Sequence, residues 1–324
     1  MVPVSRPLSP APEGFASDGF RPSAGLAAAL RRHGAGCRCA LHGRRLFGQA
    51  LLAGGAGLAW PALAQDGVRV SDPSTLAKLV PAEDLERAAA QQYAQMLQEA
   101  RQQRALAPDD HPQVIRLRAI ADRLKPNILA PNLKSTPRAQ QWKWEVNLIG
   151  SKELNAFCMP GGKIAFYYGI LQQLQLTDDE VSMIMGHEIA HALREHARAR
   201  MGKGAATRIG ANVVSALLGL GNLGDAALSM GAQLLTLRFS REDESEADKI
   251  GLDLSARAGY DPRAGVSLWE KMAAASKGAP PQFMSTHPSG PTRIKDIQAN
   301  LPDVQPLFAR APKPPQRFGP PKAS

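Results

Sequence analysis

His187-Glu188-Ile189-Ala190-His191 lies in an apolar-periodic run that opens at a capping box, and together these features fix one helix of the chain. Thr177 is placed to cap the helix start while Glu180, three residues on, reaches back to it. At 3.6 residues per turn, residues four apart share a face. The imidazoles of His187 and His191 can therefore reach one ion, with Glu188 at the edge of that face. Two neutral imidazoles beside a carboxylate meet the needs of a zinc hydrolase: ligands that leave a coordination position open, and a base for water. The spacing predicts a single helix from the capping box to about Met201-Gly202.

A catalytic zinc calls for a third protein ligand. Glu242-Asp243-Glu244-Ser245-Glu246-Ala247-Asp248 is an acidic cluster on a helix predicted over Arg241 to Arg257. Glu244 and Asp248 are four apart, so one can bind metal while the other hydrogen-bonds a ligand imidazole from behind. Periodicity alone does not choose between Glu244 and Glu246. A solvated acidic helix start, favoured by the helix dipole, is the plain alternative. His196 falls about 140° around the helix from His191 and is not expected to be a ligand. His111 precedes Pro112 and reads as a cap or a solvated side chain.

Around these segments the chain reads as mostly helical. Residues 65–80 form an irregular lead-in. Helical spacing follows over Pro81 to Leu106 and Pro112 to Leu124. Trp142 to Ile149 alternates apolar and polar residues as a half-buried strand. Asn155 to Phe166 reads as two short strands about the turn Pro160-Gly161-Gly162. Ala205 to Leu237, rich in Ala, Leu and Gly, reads as a buried helical hairpin, with a membrane-dipping or chain-binding surface as the sharper alternative. Further helices are predicted over Pro262 to Ser276 and Pro291 to Leu301, and the Pro-rich basic segment 303–324 is expected to be disordered.

A net charge of +10 raises the question of nucleic acid. Its placement argues against that partner: seven basic and two acidic residues fall in 1–64, and four basic residues with no acid fall in Arg310 to Ser324. The body between is nearly balanced, and no nucleic-acid motif accompanies the charge. Residues 1–64 read instead as a leader and export signal. Arg44-Arg45 precedes an apolar run from Gly48 to Pro61, and Ala62-Leu63-Ala64 offers a small-x-small site, so cleavage is expected after about Ala64. A twin-arginine or a general secretory route fits, and a bacterial periplasmic location follows. Cleavage would leave Cys158 as the sole cysteine, read as a small buried apolar residue.

The ordered set of His187-Glu188-x-x-His191 and Glu244-x-x-Ala247-Asp248, with Asn155-Ala156-Phe157 and Pro160-Gly161-Gly162 upstream and Thr286-His287-Pro288 and Arg293 downstream, resembles one zinc metallopeptidase family. It is the family that includes the CAAX prenyl proteases, HtpX, the mitochondrial Oma protease and BepA, and the similarity spans roughly residues 85–300. The resemblance implies an α+β, mostly helical, zincin-like (gluzincin) fold with a small β-sheet beside the active-site helix, over a peptidase domain at 81–302. It implies one Zn2+ per chain held by His187, His191 and Glu244, with Asp248 behind a ligand and Glu188 as general base. It makes Asn155, Ala156, Phe157, Gly161 and Gly162 candidates for binding an extended peptide. His287 becomes a candidate either to stabilise the oxyanion or to fill the open zinc position and hold the enzyme latent. The form expected is short, exported and peptidase-only.

These readings lead to an exported zinc metalloendopeptidase acting on misfolded or stalled envelope proteins, with unfolded polypeptides as partners and a possible peripheral contact with envelope membranes. The alternative is a latent, chaperone-like binding protein that keeps a zinc site, and a weaker one is a zinc-stabilised scaffold. Glu188 separates them, since a structural site needs no base beside its ligands.

Overall fold

The computed structural model describes residues 66–207, 230–231, 233–276, 282–287 and 292–322. The export signal at 1–64 and most of the Ala/Gly-rich 205–237 segment lie outside the described residues. Helix α1, Ala82–Gln102, starts after Pro81 and carries Glu83 and Asp84 in its first turn, where the helix dipole favours acids. Helix α2, Pro112–Leu124, is capped by His111, whose Nδ1 accepts from the backbone N–H of Gln113 at 3.2 Å. Val114, Leu117, Ile120 and Leu124 form its buried stripe.

Strands β1 (Glu145–Ile149), β2 (Ala156–Met159) and β3 (Lys163–Tyr167) make one sheet in the order β1-β3-β2. β1 runs parallel to β3, with Glu145 opposite Lys163, and β2 runs antiparallel to it, with Ala156 opposite Phe166. β2 is thus an edge strand. The predicted strand from Trp142 begins only at Glu145, because Pro137–Gln141 forms a 3-10 turn that delivers Trp142 and Trp144 as a ring pair 5.5 Å apart. The turn joining β2 to β3 puts Gly161 and Gly162 at φ +84° and +77°, a region that disfavours side chains. A Cβ on Gly162 would also sit 2.8 Å from the Trp144 ring.

Helix α3, Tyr168–Gln173, leads into α4, Asp178–Leu193. The expected capping box is present, with the Thr177 side chain accepting from Glu180 N–H and the Glu180 carboxylate accepting from Thr177 N–H. α4 is buried on nearly every side. It does not continue to Met201-Gly202. Glu195 adopts φ 54° and turns the chain, and a new helix α5 runs His196–Thr207.

Helix α6, Arg241–Arg257, has its own reciprocal cap between Ser240 and Asp243. It lies against α4 at Gly186 and Gly251, where a Cβ on Gly186 would come 3.1 Å from the Gly251 Cα. Helices α7 (Ala264–Ala275), α8 (Gln282–Thr286) and α9 (Arg293–Arg310) complete the described elements.

The tail, expected to be disordered, is instead helical as far as Arg310 and then lies against α4. α9 runs through Pro302 and Pro306, which sit four apart on its exposed face, while Val304 and Leu307 are buried. The carbonyls those prolines leave unbonded face water, where their loss costs least. Beyond Arg310 the chain crosses the start of α4: Phe318 N–H and Gly319 N–H donate to Asp178, and Arg317 pairs with Asp179. The lead-in is also held, with Val68 fully buried and its N–H donating to Asp253. Lead-in and tail belong to the same compact unit as the helices, so the domain is wider than 81–302. Among the described residues no helix is long and apolar enough to cross a membrane.

Candidate metal centre and active site

α4 presents His187 and His191 one turn apart, and α6 brings Glu244 and Asp248 to them across the Gly186–Gly251 contact. The Nε2 atoms of the two histidines are 3.1 Å apart. Glu244 lies 3.5 Å from His187 Nε2 and 3.4 Å from His191 Nε2. On the far side of His187, Nδ1 lies 3.0 Å from Asp248 Oδ1, an acceptor that keeps the proton of the neutral ring on Nδ1 and turns the Nε2 lone pair toward the cluster. His287, at the end of α8, places Nδ1 3.0 Å from Glu244 and 3.3 Å from His187 Nε2. Its ring is stacked on Phe283, with centroids 4.5 Å apart. Donor atoms of His187, His191, Glu244 and His287, all buried, lie within 4.8 Å of one another. Glu246 is outside that set.

The electrostatics separate the two central glutamates. Burial pushes the Glu188 carboxyl above its ordinary value, and His287 and His187 offset only part of this. Burial also acts on Glu244, yet His187, His191 and His287 outweigh it and hold that carboxyl far below the usual range. Arg293 adds to this by donating to Glu244 at 2.8 Å and to Asp248 at 2.7 Å, with its guanidinium 3.5 Å over the Trp269 ring. Burial would lower His187, but Asp248 and Glu244 push it up to about 9, while burial holds His191 well below its ordinary value.

The donor set fits a metal ion. Nitrogen lone pairs from two imidazoles converge with a carboxylate, a contact that is repulsive unless a proton or a cation lies between them. Glu188 Oε1 is buried, accepts no hydrogen bond, and lies 3.4 Å from His287 Nε2. Such an orphaned acceptor beside converging lone pairs suits a site built for a cation and a water.

The sequence profile of peptidase family M48 matches residues 116–301, which contain this whole cluster. The chain belongs to peptidase family M48. It is 37% identical over 168 residues to the mitochondrial metalloendopeptidase OMA1 of Arabidopsis thaliana, covering 52% of this chain and 34% of that protein. It is 30% identical over 213 residues to the metalloprotease LoiP of Escherichia coli, covering 64% of this chain and 78% of that protein. It is 28% identical over 196 residues to the beta-barrel assembly-enhancing protease of the same bacterium, covering 57% and 40%. The chain spans between 34% and 50% of the length of three OMA1 relatives.

In this M48 peptidase a cleft opens beside the cluster. Glu188, His191 and His287 line it together with Asn155, Ala156, Phe157 and Cys158 of the β2 segment, and Leu234, Leu235 and Phe239 close its apolar wall. The Cys158 N–H faces the Glu188 carboxylate, so the outer edge of β2 runs past the glutamate. Gly161 and Gly162 do not line the cleft. Their place is the turn, where positive φ and, at Gly162, the Trp144 ring favour glycine. Cys158, expected in the core, is half-buried at the cleft, and burial of the thiol pushes its pKa up.

Sequence reasoning passed over two features. Gly186 and Gly251 set the approach of α4 and α6, and two lone glycines in helical patterns were their signal. His196, not expected to be a ligand, and Glu246, which periodicity left open beside Glu244, form a connected pair behind His191; it depends on the Glu195 turn, which no local pattern encodes.

Proposed function

We propose that this peptidase is an exported, zinc-dependent metalloendopeptidase that cleaves unfolded or misassembled envelope polypeptides. The observation that carries the reading is the convergence of His187 Nε2, His191 Nε2 and Glu244, with Glu188 beside them and its buried Oε1 accepting no hydrogen bond. Two imidazoles and a carboxylate are a zinc donor set. A zinc ion bound there supplies Lewis acidity that makes water a nucleophile near neutral pH. Glu188, its carboxyl raised by burial, takes the proton of the attacking water and returns it to the leaving amine. An extended peptide laid along β2 adds a strand through main-chain hydrogen bonds, which suits broad side-chain tolerance. The name of the beta-barrel assembly-enhancing protease supports an envelope setting, as does the leader at 1–64. His287, whose ring nitrogen joins the donor cluster, acts as a fourth donor that holds the site closed at rest.

The test is cleavage of a denatured membrane protein by the purified chain, with chelator and zinc add-back. Glu188→Gln is expected to lower the rate roughly 10²- to 10⁴-fold while zinc stays near one per chain, the range for losing a general base. Equal cleavage by that variant would sink the enzyme reading in favour of a chaperone-like or structural zinc protein.

A further inference from the structure

Resting on the reading of His187, His191 and Glu244 as metal ligands, we infer that His196 and Glu246 are positioning residues that fix the imidazole of His191. His191 turns Nε2 to the cluster, and its Nδ1 lies 3.0 Å from His196 Nδ1. Two ring nitrogens at that distance form a hydrogen bond only if one carries the proton. The other nitrogen of His196, Nε2, lies 3.0 Å from Glu246 Oε2. An ionised carboxylate only accepts, so the His196 proton sits on Nε2 and its Nδ1 is left as an acceptor. His191 Nδ1–H therefore donates to His196, His196 Nε2–H donates to Glu246, and His191 Nε2 is left with a lone pair for the metal. With the His191 Nε2 lone pair given to a metal, this is the one protonation pattern that satisfies every partner.

The far end of this relay is anchored. Arg194 Nε donates to Glu246 Oε2 at 2.8 Å, and Ser71 of the lead-in donates to Glu246 Oε1 at 2.6 Å. His196 and Arg194 are shielded from water, 5% and 3% exposed, and Glu246 is half-buried at the outer end. Phe239 covers one face of the His191 ring, its centroid 3.9 Å away, and limits rotation out of this geometry. The left-handed Glu195 is what makes the relay possible, because it ends α4 and swings His196 back beneath His191. His191 thereby gains what Asp248 gives His187: a defined tautomer, a defined orientation and a more basic metal-facing nitrogen.

Two replacements of His196 test this in the full chain. Gln keeps an acceptor for His191 and a donor for Glu246, whereas Leu fills the space and offers neither. Zinc affinity is measured by competition with a chromophoric chelator, and the Co2+-loaded protein reports ligand geometry through its visible absorption. His196→Leu is expected to raise the zinc Kd about 10- to 100-fold, the range for removing a partner behind a ligand, and to shift the Co2+ bands. His196→Gln should recover most of the affinity and the parental spectrum. Glu246→Gln, which retains shape but not charge, carries the test if the Leu variant does not fold, and it too should weaken zinc binding. Parental affinity in His196→Leu, or equal losses in the Leu and Gln variants, would overturn the relay. A parent chain that binds no zinc would overturn the metal reading and the relay together, whereas tight binding by parent and variants alike removes only the relay.

Discussion

Glu188 and Glu244 are the same residue type in the same buried cluster, and their surroundings send them opposite ways. Glu188 has burial acting on it without a compensating hydrogen bond at Oε1, so its proton affinity rises toward the range of a general base. Glu244 is ringed by three imidazoles and Arg293, which keep it ionised and fit to ligate a cation. His287 touches both, through Nδ1 to Glu244 and Nε2 toward Glu188. If its nitrogen competes for the open position, His287→Ala should raise peptidase activity. Relief of about 1.4 kcal/mol of competition corresponds to about tenfold. Initial rates on an unfolded substrate at matched zinc content decide the point, and a fall in rate would assign His287 to the oxyanion instead.

At the scale of elements, the site is a helix crossing. α4 and α6 approach closely only because Gly186 and Gly251 face each other; a Cβ on Gly251 would sit 3.0 Å from His187 N. Gly251→Val should therefore push α6 away from the ligand helix. A cost of about 1–3 kcal/mol is expected from such overpacking, together with weaker zinc binding because Glu244 retreats. Urea unfolding of the metal-free protein gives the first quantity and chelator competition the second; no change in either would show that the contact is slack. The elements themselves were largely legible. The cap at Thr177, the strand alternation and the Pro-Gly-Gly turn are local signals, and an element formed at each, the strand starting three residues after its alternation does. The break at Glu195 was not legible, because a left-handed glutamate has no sequence mark of its own and is held by what His196 and Arg194 bind.

For the whole molecule, the two flanks read as accessory segments are part of the scaffold. Asp178, the first residue of α4, accepts from Arg116 at 2.7 Å and from two tail N–H groups. Arg116 and Asp178 are almost fully buried, so the start of the active-site helix rests on a satisfied ion pair, which is stable only while its partners are complete. Removing the chain from Pro312 onward takes away the tail donors. The expected loss is about 1–3 kcal/mol, visible as a lower thermal midpoint of the metal-free protein. An unchanged midpoint would leave the tail without a structural role.

Local sequence alone placed His187 and His191 on one helix face with Glu188 beside them, since a four-residue spacing on a helix is a local geometric consequence. It also narrowed their carboxylate partner to one acidic helix and marked the strand beside the site. Tertiary packing is what brings Glu244 into the cluster while Glu246 turns to His196, carries His287 to the two histidines, and sets Gly162 against the Trp144 ring. Those outcomes depend on how two helices cross and where a third chain segment lands. Contacts between residues 40 to 100 positions apart follow from the packing of whole elements, and no local period records them.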